Sequence, residues 1–64
     1  STNYNLDLKD LTKAEMKKLG ISYGVKIAED YSQRTDGSSI KGFIITKINN
    51  KKVVSAYQVD TFLD

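Results

Sequence analysis

The chain has 64 residues, with ten Lys or Arg against eight Asp or Glu, and neither Cys nor His. That length makes one small domain, near the lower limit of what a hydrophobic core stabilises unaided; the missing Cys and His exclude disulfides, thiolate chemistry, the usual imidazole base and the commonest zinc ligand. A net charge of +2, with basic residues scattered or in pairs such as Lys17-Lys18 and Lys51-Lys52, leaves no footprint for nucleic acid, and no apolar run approaches the roughly 20 residues of a membrane span.

Tyr4-Asn5-Leu6-Asp7-Leu8-Lys9 alternates apolar and polar residues, which predicts a half-buried strand with Tyr4, Leu6 and Leu8 inward. Thr12-Lys13-Ala14-Glu15 has the spacing of a capping box, with Leu11 and Met16 placed as a hydrophobic staple around it. Gly20 follows Leu19 where a left-handed residue ends a helix, and Ile21 can close back on the last turn. The result is a two-turn helix with both ends written locally. Tyr23 to Ala28 reads as a second strand with Val25 and Ile27 on one face.

From Glu29 to Lys41 the chain turns polar and reads as a loop that returns Ile40 to the core. Phe43 to Ile48 is expected to be the central strand, buried on both faces at its start. Asn49-Asn50 suits a type I′ turn into a second short strand ending near Val54. Ser55 is the expected cap of a helix from Ala56 onward, burying Val59, Phe62 and Leu63 on one face. The order defines an α+β domain on a small antiparallel sheet, with no Pro, linker or repeat to divide it.

Gly42-Phe43-Ile44-Ile45-Thr46-Lys47-Ile48-Asn49-Asn50-Lys51-Lys52-Val53 resembles the most recognisable segment of PDZ domains, in particular the circularly permuted ones of HtrA/Deg-type serine proteases. Leu8-Lys9-Asp10-Leu11-Thr12, Glu15 and Leu19-Gly20-Ile21 resemble that family's first strand and short helix; Gly24-Val25-Lys26-Ile27 resembles its next strand. The resemblance covers essentially the whole chain. Phe43 stands where the family usually has Asp, and Tyr4-Asn5-Leu6 where its carboxylate-binding loop has Gly between two apolar residues. The resemblance implies a PDZ-like partial barrel spanning residues 1–64, with a short helix and a C-terminal helix, and without the family's last strand after Leu63.

The function the resemblance implies is non-catalytic: a peptide-binding module of a periplasmic or otherwise extracytoplasmic serine protease (a hydrolase), taking hydrophobic C-termini or unfolded polypeptide segments by strand addition. The edge strand is Leu6, Asp7, Leu8 and Lys9. The amides of Asn5 and Leu6, with Tyr4, are to face the terminal carboxylate. Tyr4, Leu6, Leu8, Val59 and Leu63 wall the pocket for the last side chain, and Ala56 and Asp60 flank the groove. No cofactor or metal is implied.

Blander readings stand beside these. Leu6, Leu8, Val59 and Leu63 are, on pattern alone, more often plain core than pocket, Tyr4 fits as cover for the sheet end and Asn5 as an ordinary turn residue. Asp7, Asp10 and Glu15 are close in sequence, but capping accounts for Glu15 and solvent for the others. The rival function is a structural or oligomerisation domain with a degenerate groove that binds no free peptide. Lack of the last strand leaves an open sheet edge, so a strand-sharing homodimer is expected.

Overall fold

Two of the alternating stretches meet as an antiparallel pair in the computed structural model, which describes residues 3–63. β1 is Leu6–Asp10 and β2 is Val25–Asp30, with β3, Ile44–Ile45, on the far side of β2. Between β1 and β2 the chain forms α1, Lys13–Leu19. A two-stranded ladder of β4, Lys47–Ile48, and β5, Lys51–Lys52, leads to α2, Ala56–Leu63. Over the described residues the fold is α+β, with two small antiparallel sheets and no closed barrel.

The register sorts the side chains. Asp10, Val25 and Ile45 form one cross-strand row, while Lys9, Lys26 and Ile44 form the next. Neighbouring rows point to opposite faces of a sheet. Val25 is wholly buried and joins Leu8, Ile27, Val53 and Val59 in the core, with Leu6, Ile40, Ile45, Ile48, Ala56 and Phe62 packed around them. The Lys9–Lys26–Ile44 row therefore faces away from the core.

α1 closes at both ends as its sequence predicts. The Thr12 hydroxyl accepts from the Glu15 amide and the Glu15 carboxylate from the Thr12 amide, each at 3.1 Å. Gly20 is left-handed at φ 71°; its amide donates to the Lys17 carbonyl, and the Ile21 amide donates to that of Met16. These are the two bonds of a Schellman closure. The Asn49-Asn50 turn also forms, with φ of 52° and 66° between the paired residues Ile48 and Lys51.

Other expectations need correction. The first strand starts only at Leu6, because Tyr4 and Asn5 both have positive φ, 62° and 60°, inside a short turn over Asn3–Asn5. Two left-handed residues break the pleat, so Tyr4 leaves the inward face and is exposed. β2 starts two residues later than expected and runs on to Asp30. Gly24 lies too close to Ile44, Ile45 and Leu11 for a side chain to fit easily, and its φ is 139°. At the other end Glu29 and Asp30 pair with Asp7 and Leu6, so ladder pairing overrides their polar character.

The expected central strand is split. Ile44–Ile45 pairs with β2, whereas Lys47–Ile48 pairs with β5, and the Thr46 carbonyl between them accepts from the Val53 amide. Phe43 is not buried but 60 % exposed. Its carbonyl accepts from Ile27 and its amide donates to Ile40, which pins the backbone to β2 and leaves the ring outside. In α2, Val59 is buried and Phe62 packs on the core, but Leu63 is about half exposed.

The polar stretch after β2 is organised by one side chain. The enclosed Asp30 carboxylate accepts from the Ser32 and Ile40 amides at 3.0 and 2.8 Å and pairs with Arg34. These donors, the Ile40 amide foremost, hold its carboxyl well below the usual carboxylate range. This is how Ile40 reaches the core.

Candidate functional site

The candidate site is the seam between β1, which is an edge strand, and α2. One contact fixes it. The Asp10 carboxylate at the end of β1 accepts from the Ala56 amide at 2.6 Å, 46 residues on, at the first position of α2. A carboxylate suits that place because helix N-terminal amides lack internal partners and carry positive potential. The Gln58 side chain satisfies the preceding Val54 amide at 2.7 Å.

Leu8, two residues back along β1, and Val59, three residues on along α2, share the core. The two elements thus pass each other in opposite directions from the Asp10 tie. Tyr4 and Asn5 precede β1, and Leu63 ends α2. Tyr4 is 51 % and Leu63 49 % exposed, so each presents apolar surface.

The ten residues expected to bind peptide separate into groups. Leu8 and Val59 are each only 2 % exposed and offer no surface to a ligand; they are core. Leu6 and Ala56 are half-buried against that core. Asn5 and Lys9 are exposed, and Asp7 is half-buried. Asp60 is half-buried with its Oδ1 enclosed and without a hydrogen-bond partner. A buried carboxylate oxygen left in that state is costly and marks a place where a donor is missing.

The expected carboxylate loop differs from an amide nest. A nest alternates right- and left-handed residues so that successive amides converge, whereas Tyr4 and Asn5 both have positive φ. The Asn5 carbonyl accepts from the Tyr31 amide at 2.8 Å, which anchors the turn to the chain just after β2.

The acidic residues near one another in sequence are not gathered. Asp10 serves α2, while Glu15 serves Thr12 and pairs with Lys26 at 2.5 Å. The Lys26 ammonium above all, then the Thr12 amide, brings the Glu15 carboxyl from 4.5 down to about 2. Among the described residues no three acidic, His or Cys side chains are placed to hold a metal. The role of Asp10 escaped sequence reasoning, because its partner lies 46 residues away and no local motif announces it.

Comparison with family models, curated proteins and solved structures finds no significant match for this chain.

Proposed function

We propose that the chain is a non-catalytic peptide-binding module that takes hydrophobic C-termini or extended segments by strand addition along β1. The observation that carries this reading is an edge strand with a helix tied beside it by the Asp10–Ala56 contact. Strand addition uses main-chain pairing for affinity and flanking side chains for selection. The apolar surface of Tyr4 and Leu63, with half-buried Leu6, is the proposed wall for the final side chain. Attachment to an HtrA-like serine protease, and an extracytoplasmic setting, rest on the resemblance of the sequence segments alone.

A second reading has its own observations. Leu8 and Val59 are closed into the core, and the Tyr4–Asn5 turn is not an alternating nest. Both favour a structural or oligomerisation domain whose groove takes no free peptide.

An NMR titration with hydrophobic C-terminal peptides, each as free acid and as amide, separates the two. Shifts at residues 4–9 and 56–63 that vanish on amidation establish carboxylate-dependent binding. Equal shifts for both forms indicate recognition of internal strands. No shifts in a folded sample leave the structural reading, which sedimentation then tests as self-association.

A further inference from the structure

The sheet face turned away from the core is not an ordinary polar surface. Its central row is Lys9, Lys26 and Ile44. Two lysines stand directly opposite each other, an unfavourable pairing in a sheet unless something compensates it. Glu15 compensates one: it reaches from α1 to Lys26, while Lys9 makes no ion pair among the described residues. Ile44 is an aliphatic residue on the wrong face for the core, only half covered.

α1 covers this face incompletely. None of its residues is buried, and its last residue, Leu19, is 50 % exposed. Between helix and sheet lies an open pocket of about 260 Å³, lined by Glu15, Lys18, Leu19, Lys26, Gly42 and Ile44. Leu19 and Ile44 supply apolar walls. Glu15 and Lys26 neutralise each other, whereas Lys18 has no ion-pair partner among the described residues. The pocket is smaller than the roughly 300–1,000 Å³ of small-molecule sites. It has room for one apolar side chain, with the Lys18 cation among its lining residues.

We propose that this outer-face pocket is a second docking site, for an acidic polypeptide segment that inserts one apolar side chain against Leu19 and Ile44 while its carboxylates meet Lys18 and Lys9. The charge pattern selects the partner: the Lys18 ammonium lines the pocket without an ion-pair partner among the described residues, Lys9 lies two strands from Ile44 in the same sheet row, and the pocket's carboxylate, Glu15, is already committed to Lys26 and Thr12. This site stands independently of the β1–α2 seam, on the opposite face of the sheet.

The test is an amide-shift titration of the whole chain with an end-blocked hexapeptide bearing one Leu among Glu and Asp residues. The blocked ends remove the terminal carboxylate that the seam is proposed to take. Shifts are expected at Lys18, Leu19, Lys26 and Ile44, fading when salt is raised. They should weaken roughly threefold or more in Lys18→Glu, a change at an exposed residue outside the capping box. The peptide with Gln and Asn in place of its acids, and the peptide with Gly in place of Leu, should each bind more weakly. Shifts centred on residues 4–9 and 56–63, equal binding of the acidic and neutral peptides, or no shifts in the folded protein would each overturn the proposal.

Discussion

The two helices lie against opposite faces of the same three-stranded sheet and are held in opposite ways. α1 carries its own boundaries: Thr12 and Glu15 close one end, and Gly20 with Ile21 closes the other, all within ten residues of sequence. It buries no residue, and the Glu15–Lys26 pair is its ion-paired link to the sheet. α2 has weaker local signals, yet it buries Val59 and its first amide donates to the Asp10 carboxylate. Local capping places a helix in the chain, whereas burial and a distant partner place it in the fold. The helix with the better sequence signature is thus the one less committed to the core.

Removing the distant partner sharpens that contrast most. Asp10→Ala leaves the Ala56 amide without its charged acceptor, and bonds to charged groups contribute about 1.5–3 kcal/mol. Urea unfolding should show a loss of that order, with faster amide exchange in the first turn of α2. If exchange accelerates equally in α1, or stability is unchanged, Asp10 is not the tie assigned to it.

Removing the local cap should cost less and stay local. Thr12→Ala deletes one half of the capping box, for which about 1 kcal/mol is expected. Exchange should rise over residues 13–16 and leave 56–63 unaffected, because α1 buries nothing that α2 depends on. A change spreading to α2 would mean that the outer-face helix and the core-face helix are coupled through the sheet.

The same contrast decides what was legible. The capping box, the Gly20 closure and the Asn49-Asn50 turn were readable because donor, acceptor and backbone preference fall within a few positions. The continuous apolar run from Phe43 to Ile48 was misread, because periodicity does not reveal that β3 and β4 belong to different sheets. Asp30 looked like loop composition, yet it ends β2 and fastens the following turn. For the candidate site, β1 and α2 were both legible as elements. The inward placement of Leu8 and Val59 was legible too, from periodicity, but the junction of the two elements at Asp10 was not, since it depends on a contact across the length of the chain. The row of Lys9, Lys26 and Ile44 likewise exists only once register is known.

Acid should produce the smallest effect and act on α1 first. Lys26 and the Thr12 amide lower the Glu15 carboxyl from 4.5 to about 2 in the folded chain. A depressed folded value means that the unfolded chain takes up the proton more readily, so Glu15 contributes stability above about pH 4.5. That contribution declines as pH falls from 4.5 toward 2 and is gone below both values. The partners are each about a third exposed, 34 % for Lys26 and 32 % for Glu15, so solvent screening keeps the contribution small. A pH series should therefore show the Glu15 carboxyl titrating well below the ordinary glutamate range, with the Thr12 and Glu15 amides losing protection ahead of those in α2. In Lys26→Met the titration should move back toward 4.5, while α1 keeps its Thr12 half of the box. A Glu15 carboxyl that titrates near 4.5 in the unaltered chain would show that the link between α1 and Lys26 is not populated in solution, leaving α1 held by its own ends alone.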